Sequence, residues 1–201
     1  YRVLKTRFKE LSNAIESTLH SRKLYDNAKV IYEHAELFDS VQRATAFYIL
    51  TNQGWGSKIG SWGYDIKKNQ TSKKYINKKL QLTKELAARL DYTQIECTDA
   101  LRVITSRDTP ESFHYCDPPY PKTNQGHYGG YTVQDFTNLL DVLSKIKGKF
   151  LLSSFPLPIL NQYVEHNGWH KVDIRMKKSI NKSRKVEVLT ANYPISINKA
   201  A

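Results

Sequence analysis

Asp117-Pro118-Pro119-Tyr120 is the stretch whose residue types and order could do chemistry. It follows Ser-Phe-His-Tyr-Cys at 112–116, an alternation around two aromatics that predicts a short buried strand. Two consecutive prolines cannot donate to a sheet ladder, so the strand must stop at them. The stop leaves a carboxylate, a stiff backbone with free carbonyls and an aromatic ring at a strand's C-terminal edge. In an open α/β sheet that edge is where ligands bind. Such a group suits methylation of an amino group on a flat ring. The exocyclic amine of adenine is a weak nucleophile because its lone pair is delocalised into the ring. Two acceptors on its N–H bonds, the Asp117 carboxylate and the Pro118 carbonyl, would draw the nitrogen toward tetrahedral geometry. Tyr120 would stack on the base. The plainer reading of the same four residues is a strand, a Pro-Pro turn and a capping Asp, and only context decides between them.

Charge is the first piece of context. The chain has 201 residues, 31 Lys and Arg against 19 Asp and Glu, and a net charge of +12. That excess suits a polyanion, with DNA or RNA the usual one. It is clustered: Lys67, Lys68, Lys73, Lys74, Lys78 and Lys79 lie close together, with Tyr64 and Tyr75 interleaved and Trp55 and Trp62 just before. Lysines bind phosphates and aromatics stack on bases, so this stretch reads as a nucleic-acid surface, with a solvated loop as the alternative. Hydrophobic content of 40% supports a real core. No apolar run approaches membrane-spanning length and no signal peptide opens the chain, so a cytoplasmic location is expected. Cys97 and Cys116 fall in expected strands without metal-ligand spacing and read as small buried residues of a reducing compartment. No metal site is expected.

The elements that must position the tetrapeptide can be taken in order. Residues 1–20, 23–39 and 40–51 carry helical apolar spacing, with Ser40 a candidate N-cap. Residues 52–63 hold four glycines, two tryptophans and Lys58. A Gly-x-Gly lies among them, but a helix and not a strand precedes it, so this is a loop or hairpin and not a cofactor loop. Residues 76–90 read as another helix. From 92 the rhythm changes to α/β: a strand at 93–97, a helix capped by Thr98 or Asp99, then the strand before Asp117. His114 on that strand reads as a packed histidine. Residues 121–131 are polar, Gly-rich and aromatic, long enough to close over a base. Thr132 caps a helix, 149–154 is a buried strand, 156–167 a helix ended by Gly168, and 169–176 and 186–193 form an antiparallel hairpin around a basic turn. The division expected is a helical, basic region over 1–91 and an α/β part over 92–201.

These landmarks resemble the adenine-N6 DNA methyltransferases of the Dam-like (D12) class, from about Ala44 to Tyr193 and most closely from Phe113 on. Asp117-Pro118-Pro119-Tyr120 matches that family's catalytic tetrapeptide in sequence and in its strand-end context. The Thr132 helix, the Phe150 strand and a closing hairpin that ends in Asn192-Tyr193 follow in order. The resemblance implies a Rossmann-like methyltransferase sheet with a C-terminal antiparallel hairpin, plus a helical target-recognition insertion. It implies S-adenosylmethionine as cofactor, double-stranded DNA as partner, and base flipping of a target adenine. Thr98, Asp99, Ala100 and Asp117 take the cofactor positions. Trp55, Lys58, Trp62, Lys67, Lys68, Lys73, Lys74 and Tyr75, with Lys122, Asn124, His127 and Tyr128 of the 121–131 loop, take the DNA side. Arg184 and Lys185 of the basic turn either bind phosphate or are solvated. Asp117, where N4-cytosine enzymes usually carry Ser, favours adenine. One departure stands out: the family opens with a strand and a Phe-x-Gly-x-Gly loop for the cofactor, and neither occurs in these residues. The first strands of the sheet are thus missing from the stretch, and the expectation is a trimmed chain, a second chain that supplies the cofactor half, or a relative that binds DNA without methylating it.

Overall fold

The computed structural model describes residues 1–66, 68–121, 130–177 and 184–196. It divides into two compact units, Tyr1–Glu96 and Cys97–Ala201.

The first unit is helical: α1 (Arg2–Thr6), α2 (Phe8–Glu16), α3 (Arg22–Glu33), α4 (Ser40–Gln53), α5 (Gln70–Leu80) and α6 (Lys84–Ala88). The single helix expected over 1–20 breaks at Arg7, whose φ of −133° leaves the helical region and whose guanidinium grips Glu10 and Ser40 instead. Helix α4 starts at Ser40, but its cap is Asp39: the carboxylate accepts from the Val41 and Gln42 amides, and the Gln42 side-chain oxygen accepts from the Asp39 amide. The helix expected over 76–90 is two, because the Thr83 hydroxyl accepts from the Leu86 amide and starts α6 afresh. Tyr25, Ala28, Ala46, Ile49 and Leu50 form the core between α3 and α4. Beside them the buried Gln53 amide ties three segments together: its Oε1 accepts from the Ser21 amide (3.0 Å) and Trp62 Nε1 (3.3 Å), and its Nε2 donates to the Leu19 carbonyl (2.8 Å).

The second unit is mixed α/β, with α7 (Ala100–Arg107), β1 (Phe113–Cys116), α8 (Val133–Leu143), β2 (Lys149–Ser154), α9 (Pro158–Asn167), β3 (His170–Lys177) and β4 (Arg184–Ala191). The sheet order is β1-β2-β4-β3. Strands β1 and β2 are parallel, joined through α8, and β4 runs antiparallel to both β2 and β3. The expected hairpin is present, with β4 as its inner strand. Phe150 and Leu152 of β2, two residues apart and so on one face, meet Phe136, Leu139, Leu140 and Leu143 of α8 in the core. Thr132 starts α8 with a capping box to Asp135, and Gly168 ends α9 at a φ of 64°.

Two expectations for this part are corrected. Residues 93–97 form no strand; they are exposed, Cys97 included, because no neighbouring strand among the described residues takes up their hydrogen bonds. Strand β1 is not the buried strand expected: among the described residues it pairs with β2 alone, and Phe113 and Tyr115 are exposed. Only Cys116 of that strand is buried.

Candidate functional site

Strand β1 is registered at its entry by one carboxylate. Asp108 accepts from the amides of Lys147 (2.7 Å) and Gly148 (3.0 Å), just ahead of β2, and from the Ser112 hydroxyl (3.3 Å). These bonds, the Lys147 amide first, hold its pKa below the usual carboxylate range. His114 Nε2 lies 3.1 Å from Ser112 Oγ and 3.5 Å from Asp108. Both contacts use the same ring nitrogen, so this is a structural knot and no proton relay. The packed-histidine reading of His114 fits it. On the far side of β2, Asn192 accepts from the Phe150 amide (3.1 Å) and donates to the Gly148 carbonyl (2.9 Å), continuing the β4 ladder by one step with a side-chain amide.

The tetrapeptide leaves the other end of β1. Asp117 is exposed, Pro118 and Pro119 are half-buried and Tyr120 is buried. No hydrogen bond engages the Asp117 carboxylate among the described residues. Burial pushes the Cys116 thiol just before it up to about 11, so it stays protonated and is no nucleophile. Tyr120 packs on Phe155 with ring centroids 4.2 Å apart, and its hydroxyl lies 3.3 Å from Ser153 Oγ. Its ring is therefore a wall of the site, with one face already against Phe155. The arrangement brings together the ends of β1 and β2: an open carboxylate and a proline carbonyl, backed by Tyr120, Ser153 and Phe155. Ser153 and Phe155 were missed in the sequence. The signal was available, since Ser153-Ser154-Phe155 ends the most apolar strand beside the one that carries Asp117.

The residues that the resemblance assigns to the cofactor are placed differently. Thr98, Asp99 and Ala100 are all exposed, and Asp99 caps α7 by accepting from the Arg102 amide at 3.0 Å. They offer a helix start and no enclosing wall, so they do not by themselves form a cradle for S-adenosylmethionine.

The DNA-side residues divide by position. Trp55, Lys58, Lys68, Lys73 and Lys74 are exposed on the first unit. Trp62 is half-buried, stacked on His20 at 4.9 Å with the Arg22 guanidinium 4.8 Å from its ring centre. Tyr75 is a core residue, 2% exposed, with its hydroxyl on Thr18. Helix α5 turns it 100° away from Lys74, so the sequence neighbour of a surface lysine faces inward. Of the loop or hairpin expected over 52–63, the structure has a hairpin: Gly54 and Trp62 pair, the Trp55 amide donates to the Ser61 carbonyl (2.8 Å) and the Gly63 amide to the Gln53 carbonyl (2.7 Å). Gly54 is obligatory, since a Cβ there would sit 2.1 Å from the Lys58 carbonyl oxygen. Lys67, Lys122, Asn124, His127 and Tyr128 lie outside the described residues, as do the side chains of Arg184 and Lys185. No group of acidic, histidine or cysteine side chains among the described residues could hold a metal ion, and no helix there is long and apolar enough to cross a membrane.

A family model described as D12 class N6 adenine-specific DNA methyltransferase matches residues 1–186. No curated protein matches the chain. The family match spans most of the sequence and reaches through both units, so the chain belongs to the D12 class of N6 adenine-specific DNA methyltransferases.

Proposed function

We propose, with that membership as the premise, that this chain serves methyl transfer to N6 of adenine in duplex DNA and that the reaction depends on Asp117. The observation that carries the reading is the open Asp117 carboxylate at the β1 terminus, next to a half-buried Pro118-Pro119 pair and backed by Tyr120 on Ser153 and Phe155. The amine of a stacked, paired adenine is out of reach, so the base must leave the helix to meet these groups. Asp117 and the Pro118 carbonyl then accept the two N6 hydrogens, localise the nitrogen lone pair, and Asp117 takes the proton that the amine sheds. Tyr120 forms the wall along which the base lies. S-adenosylmethionine, the donor the family uses, supplies an electrophilic methyl group. The exposed lysines of the first unit hold the DNA through its phosphates.

The test is methylation of an adenine-containing duplex pool by the chain in its natural polypeptide context, read as N6-methyladenine. Asp117→Ala should abolish the product while leaving duplex retention unchanged, and substantial methylation by that variant would refute the assignment. A second reading, a DNA-binding relative that does not methylate, is favoured by one observation: Thr98, Asp99 and Ala100 are exposed and Asp99 is engaged as a helix cap. Calorimetry with S-adenosylmethionine separates the two, since saturable heat supports the enzyme and none supports the binder.

A further inference from the structure

Helix α5 has two faces with different fates. Tyr75 and Lys79, four residues apart, turn inward: Tyr75 is buried, and the Lys79 ammonium donates to the Glu16 and Thr18 carbonyls. Lys74, Asn77, Lys78 and Gln81 share another face, by the three- and four-residue spacing of a helix. That face is one wall of a cleft of about 460 Å³, and Trp55 and Tyr64 belong to the other. Tyr64 is braced: it stacks on Trp62 (5.6 Å, 17° between planes), which stacks in turn on His20, with Arg22 over both Trp62 and Tyr64. Among the described residues no acidic side chain lines the cleft; the carboxylate nearest in sequence, Asp65, is taken up by the amide and hydroxyl of Thr71. The cleft therefore presents two ammonium groups, three carboxamides, of which that of Asn52 is already engaged with the Tyr48 carbonyl, and two aromatic rings, one of them stacked on Trp62.

Each of these groups matches a part of DNA. Ammonium groups neutralise phosphates without regard to sequence. A carboxamide carries a donor and an acceptor side by side, the pattern that pairs with an adenine edge in the major groove, and it discriminates between bases. A braced aromatic wall bounds the cleft without losing conformational freedom when it is occupied. We infer that this cleft reads DNA sequence: Asn77 and Gln81 contact base edges, Lys74 and Lys78 hold the flanking phosphates, and Tyr64 bounds the strand. The inference rests on the proposed function for the identity of the polyanion and adds to it the residues that select the target.

Selection from a randomised duplex library tests it, with wild type, Asn77→Ala/Gln81→Ala and Lys74→Ala/Lys78→Ala compared at two salt concentrations. All four positions are solvent-facing on the helix or at its end, and circular dichroism checks that α5 persists. Wild type should enrich a short sequence. The amide variant should retain unselected duplex as before, while its preference for the enriched sequence over random duplex falls about tenfold or more. The lysine variant should lose affinity for both alike, with the slope of log affinity against log salt smaller by about 1.8. The near-isosteric pair Asn77→Asp/Gln81→Glu, which replaces donors with acceptors, should change the enriched sequence. An unchanged sequence and preference in both amide variants would overturn the inference and leave the proposed function standing. So would duplex binding by wild type with no enrichment. Failure of wild type to retain any duplex at low salt would instead overturn the proposed function, and this inference with it.

Discussion

The side chain of Asn192 stands where a ninth residue of β4 would continue the ladder, and its removal should be felt across the second unit. Asn192→Ala leaves the Phe150 amide and the Gly148 carbonyl without partners. Phe150 is fully buried and Gly148 is buried, so water does not readily replace the lost amide. A buried polar group left unmade costs about 1–3 kcal/mol. Asn192 itself is exposed, which admits some solvent and puts each group at the low end. The expected loss is about 2 kcal/mol for the two together. Urea unfolding followed by Trp169, in a Trp55→Phe/Trp62→Phe background, measures it in the unit concerned. Asn192→Asp sharpens the test. Its carboxylate still accepts from Phe150 but faces the Gly148 oxygen, which raises its folded pKa above about 3.9. The protonated form can donate to that oxygen, so the penalty relative to wild type should be smallest in acid and grow as pH rises through the unfolded value. A loss below about 0.5 kcal/mol for the alanine variant, within the usual effect of surface substitutions, would refute the ladder argument. So would a pH-independent penalty for the aspartate variant.

Three further outcomes follow from the same structure. Gly148→Ala should destabilise the second unit by about 3 kcal/mol in the same urea assay, because its Cβ would lie 2.6 Å from the Ser112 carbonyl oxygen and 2.8 Å from that of Thr109, backbone atoms with little room to give. Burial holds His20 below its ordinary pKa, so its neutral form favours the fold. That contribution is complete above about 6.5 and is lost as pH falls from there toward the folded value, and the melting temperature of the first unit should drop in step; His20→Phe should flatten that slope. Maleimide should label the exposed Cys97 rapidly in the native protein and the buried Cys116 only on unfolding, as mass spectrometry of the labelled peptides would show.

Much of this architecture was written in local pattern. The apolar run at 149–154 is β2 to the residue, because both ends are marked by composition. Thr132 and Gly168 announce their helix ends through capping chemistry that needs only near neighbours. Pro118 and Pro119 stop β1 for reasons internal to proline. What failed depended on partners distant in sequence. Residues 93–97 have strand composition, but a strand exists only where another takes up its hydrogen bonds. Phe113 and Tyr115 alternate as core residues would, but burial needs a covering element on that face. Tyr75 reads as one of a basic-aromatic cluster until the helix rotates it inward. Within the candidate site, Asp117 to Tyr120 were legible because a rare residue order carries its own geometry. Ser153 and Phe155 were overlooked although they end the neighbouring strand; composition marks that end, and the parallel register of β1 and β2 is what brings it alongside Tyr120.

The Pro118-Pro119 pair has a thermodynamic consequence for any amine that docks there. Each pyrrolidine ring fixes its own φ, so the carbonyl between them has few orientations to lose. An acceptor on an ordinary loop would have to be frozen when the guest arrives, at about 1–2 kcal/mol per residue in lost backbone entropy. Here the rings restrict that freedom before folding begins, and the guest meets an oxygen that is already still.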